Sequence, residues 1–175
     1  MALFENYNTG NDDTGGIYLD FWRGQTFTAA STHSVTSVKV LIKRTGSPGL
    51  LTVSLKATSA GLPTGADLAV DTINADLIAT TLEWKEAIFT EYNLVNGTKY
   101  AIVMRALTGD ASNFVSYAID ASSPSYTGGA RVYSDNAGSS WTEVAADDIM
   151  FEVYGNAILG ASPSSSLSPS ASTSP

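Results

Sequence analysis

The segment VTSVKVLIKR, from Val35 to Arg44, alternates apolar and polar residues along its length. Apolar side chains recur at every second position, as at Val38, Val40 and Ile42, while Lys39, Leu41 and Lys43 face the other way. A period of two is typical of a β-strand with one face in the core and the other in water. This segment therefore predicts a long strand with its valine and isoleucine side chains buried.

The same period recurs before and after this segment. It is clear at residues 50–58, 99–107, 113–120 and 148–155, and weaker at 17–22, 24–29, 67–73, 85–90 and 130–135. Glycine, proline and asparagine turns separate these runs, and only residues 74–83 have the composition of a short helical turn. About nine or ten short strands with such turns predict an all-β fold, an antiparallel β-sandwich with a jelly-roll-like arrangement.

Composition divides the chain into three parts. Residues 1–16 are rich in polar and turn-forming residues and predict an N-terminal arm. Residues 17–157 carry the alternating runs and predict the sandwich domain. Residues 158–175 consist mainly of serine, proline, alanine and threonine, which bury too little apolar surface to offset backbone entropy, and so predict a disordered Ser/Pro-rich linker or tail.

The overall composition excludes several classes of function. A net charge of -8 opposes binding to phosphate backbones, so we expect no nucleic-acid partner. The chain has no cysteine and one histidine, which excludes disulfides and multi-histidine metal sites. No run of roughly 18–20 apolar residues is present, so we expect no membrane span.

Residues 134–141, SDNAGSSW, resemble the Asp-box of sialidases and other β-rich proteins. Ser134, Gly138 and Trp141 match that motif, whereas Asn136 stands in place of its aspartate and Ser140 in place of its threonine. In that family the box is a structural hairpin turn whose acidic or amide side chain binds backbone N–H groups while the tryptophan packs beneath. The resemblance implies a structural turn at Ser134, Asn136, Gly138 and Trp141, with a ligand site as the alternative.

Aromatic residues offer a possible surface for sugars, because aromatic rings pack on the apolar faces of pyranoses. Most aromatic residues of a sandwich belong to its core, but Tyr126 lies between proline and glycine turns and is expected to be an exposed loop residue. We therefore take Tyr126, Tyr133 and Trp141 as candidate glycan-stacking residues.

The expected cofactor set is empty, with structural calcium as the one alternative. Asn11, Asp12 and Asp13, with Asp20 nearby, are oxygen-bearing side chains of the kind calcium prefers, but they lack EF-hand spacing. Solvated turns are the competing interpretation.

No catalytic residues are predicted. A serine triad would have to use His33, which follows Ser31 and Thr32 without a nucleophile elbow. No glycine-rich phosphate loop is present either. We therefore expect a protein that is not an enzyme.

A set of short motifs, taken in order, resembles a β-sandwich domain of phage and environmental viral structural proteins. The motifs are QTFT at 25–28, HSVTSV at 33–38, GSPG at 46–49, GLPTG at 61–65, GTKYA at 97–101 and FEVYG at 151–155. The resemblance implies a non-catalytic component of a virion or surface appendage, such as a capsid decoration, tail or fibre subunit.

Two further expectations, on location and on partners, accompany the viral interpretation. The protein would lie in a virion or at an extracellular surface and assemble with itself or with other virion proteins. The first residues lack the pattern of a signal peptide, which favours a viral protein over a secreted one. The alternative is a carbohydrate-binding module that attaches to a host or surface glycan.

Overall fold

The computed structural model describes residues 1–158, which form thirteen β-strands in two sheets. Every strand pairing in these residues is antiparallel, which confirms the predicted all-β fold and the two-sheet sandwich. The predicted Ser/Pro-rich tail, residues 158–175, lies outside the described residues except for its first position.

The first sheet has seven strands. They are β1 Ala2–Tyr7, β2 Asp13–Ile17, β4 His33–Thr45, β7 Glu83–Leu94, β9 Phe114–Asp120, β12 Asp148–Ile149 and β13 Phe151–Ala157. Their order is β1-β13-β4-β9-β12, with β2 paired to β9 and β7 paired to β4.

The second sheet has six strands. They are β3 Trp22–Thr28, β5 Leu50–Ser59, β6 Leu62–Asn74, β8 Lys99–Arg105, β10 Arg131–Ser134 and β11 Thr142–Val144. Their order is β11-β10-β3-β8-β5-β6, so the short β10–β11 hairpin lies at the edge farthest from β6.

Strand β4 contains the alternating segment from Val35 to Arg44. Val38, Val40 and Ile42 are buried in the core between the sheets, and Lys39 and Lys43 are only partly covered. On one side β4 pairs with β7, and on the other it pairs first with β13 and then with β9. The predicted strand is therefore the central strand of the first sheet.

The N-terminal residues belong to the first sheet, although their composition suggested an arm. Strand β1 pairs with β13, and β2 pairs with β9. The glycines of β2 suggested a turn, but the Tyr117 side chain occupies the space beside Gly15, where an added β-carbon would lie 2.3 Å from its hydroxyl. Glycine is needed at Gly15 for close packing rather than for a turn.

The helical content of residues 1–158 is a single 3₁₀ turn, Ala75–Leu77, inside the region where a short helical turn was expected. The Asn74 side-chain oxygen caps it by accepting a hydrogen bond from the Asp76 N–H at 3.1 Å. No helix among the described residues has the length and apolar character needed to cross a membrane.

Candidate ligand cavity beside the hairpin of residues 134–141

A network of short hydrogen bonds holds the loop between β10 and β11. The Ser134 hydroxyl donates to Asn136 Oδ1 at 2.8 Å and accepts from the Gly138 N–H at 2.8 Å. Asn136 Oδ1 also accepts from the Ser140 N–H at 2.9 Å, and its Nδ2 donates to Ser140 Oγ at 2.8 Å. The side chains of Ser134 and Asn136 thus cap backbone N–H groups that the turn leaves without partners.

The backbone of the turn passes through the left-handed region at Ala137 (φ 55°) and Gly138 (φ 80°). Ser134 pairs with Trp22 at the start of β3, so the turn folds back across the Trp22 side chain. A β-carbon on Gly138 would lie 2.6 Å from Trp22 Cζ3. Glycine therefore serves two needs at this position, positive φ and close approach to an indole ring.

Trp22 lies on the outer face of the second sheet, the face directed away from the core. Strand alternation places Lys56 of β5 and Arg105 of β8 on the same face, opposite the buried Leu55 and Met104. The Arg105 guanidinium lies over the Trp22 ring, 5.2 Å from its centroid. This cation–π contact helps to fix the orientation of the indole.

Asp67 of β6 joins the two cationic residues of this face. Its carboxylate forms ion pairs with Arg105 and with Lys56, whose Nζ is 3.2 Å away. Burial alone would raise the pKa of Asp67, but the hydrogen bonds and charges of Arg105 and Lys56 outweigh it and hold the pKa below its usual range. Asp67 is therefore ionised at neutral pH and neutralises part of the positive charge beside Trp22.

A cavity of about 210 Å³ lies between the hairpin and the first residues of β6, at positions 63–65. Its lining residues are Trp22, Lys56, Pro63, Thr64, Gly65, Gly138, Ser139 and Trp141. The Trp22 and Trp141 ring centroids are 6.5 Å apart, with the ring planes tilted by 58°. Lys56 Nζ donates to the Gly65 carbonyl at 2.7 Å, which ties the start of β6 to β5.

This cavity combines two indole rings with hydroxyl, ammonium and backbone groups. Indole rings pack on the apolar C–H faces of a sugar, and the polar groups are suited to its hydroxyls. Drug-sized ligand sites measure roughly 300–1,000 Å³, so this smaller cavity has space for about one sugar ring. The buried Trp22 Nε1 has no hydrogen-bond partner within the described residues, so an indole donor is still unused.

The three candidate stacking residues are not brought together. Trp141 lines the cavity, whereas Tyr133 lines a separate depression on the other side of the hairpin, with a volume of about 300 Å³. The guanidinium groups of Arg23 and Arg131 lie 5.5 and 5.7 Å from the centroid of the Tyr133 ring. Two cations thus already occupy the surroundings of the Tyr133 ring.

Tyr126 is half-buried, which differs from the expectation of an exposed loop residue. Its ring packs edge-on against Phe151 at 5.2 Å, and its N–H donates to Asp148 Oδ2 at 3.1 Å. Burial, with smaller contributions from the negative charges of Glu5 and Asp148, raises the pKa of the Tyr126 phenol. The proline and glycine residues around Tyr126 shape a loop that turns the ring inward, which local composition does not reveal.

Sequence reasoning did not single out Trp22, Lys56 or the turn at residues 61–65 as site residues. Strand alternation places Trp22 and Phe27 on opposite faces of β3. This alternation predicts that the Trp22 ring points away from the core. The approach of Lys56 depends on the strand order β3-β8-β5, which no local pattern encodes.

The residues considered for calcium lie in a different region. Asn11, Asp12 and Asp13 line a shallow depression of about 270 Å³. Asp12 Oδ1 accepts from the Ala121 N–H at 2.9 Å, and Asp13 Oδ1 from the Thr14 N–H at 2.7 Å. Within residues 1–158, no three histidine or acidic side chains are grouped in an arrangement that could hold a metal ion.

No protein-family model matches this chain, and no curated protein matches it. Its class is therefore defined by the fold alone, as a two-sheet antiparallel β-sandwich. The particular feature of this sandwich is the cavity that Trp22 and Trp141 line together.

Proposed function

We propose that this chain is a non-catalytic glycan-binding module, and that the cavity lined by Trp22 and Trp141 holds one sugar unit of a host or surface glycan. The observation that carries the proposal is the pair of half-exposed indoles, in tilted contact with each other, that line a small polar cavity. We propose further that the module is displayed on a virion or at an extracellular surface.

The rigidity of the cavity supports a binding role. Gly138 and Arg105 hold the Trp22 ring from two sides, and the hydrogen-bonded turn positions Trp141. A ring that is already ordered loses little side-chain entropy when a ligand binds, so more of the stacking free energy contributes to affinity. The resulting site is pre-organised, as rigid sugar-binding surfaces require.

Asp67, the carboxylate paired with Lys56 of the cavity lining, supports the non-catalytic part of the proposal. A general acid for glycoside hydrolysis needs a raised pKa, so that it is protonated at working pH. The pKa of Asp67 is shifted in the opposite direction, and its oxygens are already engaged by Arg105 and Lys56. Asp67 is suited to positioning these two cations rather than to transferring a proton.

A structural role in a phage-like virion or appendage is a second proposal, together with a jelly-roll-like arrangement of the strands. One observation favours self-assembly: Val70 on β6 and Ile88 on β7 are apolar side chains exposed on edge strands of the two sheets. Exposed edge strands are natural sites of pairing between chains. The two roles are compatible, because an assembled particle can bind glycans.

The test is a glycan array followed by titration calorimetry with the best glycan. Three proteins are compared: the wild type, Trp141→Ala, and Trp84→Ala as a matched control. Trp84 is a half-exposed tryptophan on β7 of the other sheet. Trp84→Ala therefore removes the same kind of ring as Trp141→Ala but leaves the cavity unchanged.

Burial of the Trp141 ring against a sugar should contribute about 1.5–3 kcal/mol to the binding free energy. Trp141→Ala should therefore weaken binding roughly ten- to a hundredfold. Trp84→Ala should bind as the wild type does. The proposal fails if no glycan binds, or if the two variants lose affinity equally. Turnover of a glycoside or ester that a single carboxylate substitution abolishes would overturn its non-catalytic part.

A further inference from the structure

A buried acid–base pair joins the N-terminal edge strand to the centre of the first sheet. Glu5 of β1 and His33 of β4 have 5% and 0% of their surface exposed. Glu5 Oε2 lies 3.3 Å from His33 Nε2, and the neighbouring Phe4 ring stacks on the imidazole at 3.8 Å. The binding cavity lies on the other sheet, so this pair has no role in the function proposed above.

The other polar atoms of the pair determine where protons reside. His33 Nδ1 is 2.9 Å from the Ser31 carbonyl oxygen, which can only accept, so Nδ1 carries a hydrogen. Glu5 Oε1 accepts from the Ala30 N–H at 3.0 Å. A neutral imidazole protonated at Nδ1 presents a lone pair at Nε2, and a carboxylate at Oε2 would present another.

One proton between these two atoms removes the conflict. With it, the contact is either O–H···N between neutral groups or O⁻···H–N⁺ between charged groups, and the pair is neutral overall. Without it, a buried carboxylate faces a lone pair at close range, which is a costly arrangement because neither atom is accessible to solvent.

Few other ionisable groups face the pair. The Tyr126 phenol is close enough for the Glu5 charge to raise its pKa, and Glu91 of β7 bonds Ser34 beside His33. The strand neighbours of the pair are apolar, with Val153 of β13 opposite Glu5 and Leu94 of β7 opposite His33. Burial raises the pKa of Glu5, while the Ala30 N–H and the His33 ring lower it by less.

We propose that Glu5 and His33 share a single proton in the folded protein and act as a pH-sensitive latch that holds strand β1 on β13. Loss of the shared proton at alkaline pH loosens β1 and exposes the β13 edge.

The direction of the pH effect follows from proton linkage. A free glutamate and a free histidine together hold one proton between about pH 4.3 and pH 6.5. Above that range the unfolded chain releases this proton while the folded pair retains it, so folding takes up a proton. The folding equilibrium constant then falls by up to about tenfold per pH unit until the folded pair also deprotonates. Below about pH 4.3 the unfolded chain binds a second proton, and stability falls again.

The decisive variant is Glu5→Gln. Its amide oxygen can still accept from the Ala30 N–H, and its N–H can donate to His33 Nε2, so it copies the protonated carboxyl at every pH. We expect the Tm of the variant to match the wild type at about pH 4, where a free glutamate also holds its proton, and to exceed it by a margin that widens up to pH 9. Amide NMR signals of β1 should broaden at pH 9 in the wild type and stay sharp in the variant. Glu143→Gln, at an exposed glutamate of β11, is the matched control and should keep the wild-type pH profile.

A second measurement needs no variant. His33 is the only histidine of the chain, so ¹⁵N-histidine NMR of the wild type reports its ring alone. We expect Nδ1 to remain protonated from pH 5 to pH 8, with Nε2 changing in a single step that coincides with the broadening of β1. The proposal is overturned if Nδ1 lacks its proton in this range, or if Glu5→Gln folds and its Tm declines towards pH 9 as steeply as that of the wild type.

Discussion

Gly138 lies directly against the Trp22 indole, so that an added β-carbon would approach Cζ3 to 2.6 Å. This contact locks the β10–β11 turn onto the outer face of the second sheet and forms one end of the cavity. The cavity therefore depends on a glycine in the turn as much as on the aromatic rings themselves.

Substitution of Gly138 tests this contact. Gly138→Ala combines a left-handed backbone, which costs about 1–2 kcal/mol for a residue with a side chain, with a clash that displaces the ring. We expect a loss of about 2–4 kcal/mol in the free energy of unfolding, measured by urea denaturation.

Gly97→Ala is the matched control for this measurement. Gly97 has φ 75°, close to the 80° of Gly138, but nothing lies within 4 Å of its added β-carbon. It should lose only the backbone cost of about 1–2 kcal/mol. Equal losses in the two variants would mean that the Trp22 contact contributes nothing.

Asn136 should stabilise the turn through its side-chain oxygen. Asn136→Ala removes the acceptor for the Ser140 N–H and should destabilise the domain by about 1 kcal/mol. Asn136→Asp keeps the acceptor, and Ser140 Oγ can donate to the second oxygen, so its Tm should stay within about 2 °C of the wild type. Thermal denaturation followed by circular dichroism compares the two, and a larger loss in Asn136→Asp would contradict the capping role.

Asp67 should contribute stability that disappears in acid. Its pKa is lowered in the folded protein, so its contribution is present above the unfolded pKa near 3.9 and is lost as pH falls through the folded value. Asp67→Asn should lower the Tm by about 2–4 °C at pH 7, because two cations lose their partner and solvent screening limits the effect. The difference between the two proteins should shrink below about pH 4. A difference that is constant from pH 7 to pH 3 would refute the assigned role.

Strand β1 should be part of the folding unit. Deleting residues 1–8 removes its pairing with β13 and the hydrogen bond from the Tyr7 hydroxyl to Asp120 Oδ2 at 2.6 Å. We expect the Tm to fall by several degrees, whereas deleting residues 160–175 should leave it unchanged. Differential scanning calorimetry decides between this outcome and a dispensable arm, which would leave both truncations equally stable.

Self-assembly should depend on the exposed apolar residues of the edge strands. We expect the wild type to form a homo-oligomer of three or more copies at micromolar concentration, measured by light scattering. Ile88→Lys places a charge on β7, where 69% of the isoleucine surface is exposed, and should dissociate the assembly without changing the Tm of the subunit. A wild type that is monomeric under these conditions would remove the structural proposal and leave the glycan-binding one.

Much of the fold could be predicted because its signals are local. The period-two runs locate the strands, and the predicted inward residues Val38, Val40 and Ile42 of β4 are buried. Strand β2 was missed because the Tyr117 ring that requires Gly15 belongs to β9, far away in the chain. For the same reason, the inward turn of Tyr126 could not be anticipated from the prolines and glycines beside it.

The sequence by itself determined the all-β class, the position of the central strand and the residue types of the 134–141 turn, because alternation and turn chemistry act between near neighbours. Only the tertiary structure decided which side chains meet. Trp22 approaches Trp141 because β10 pairs with β3, and Lys56 joins them because β8 lies between β3 and β5. Glu5 meets His33 because β13 brings β1 beside β4. Strand order is set by how all the apolar faces pack together at once, and no local stretch of the chain contains that information.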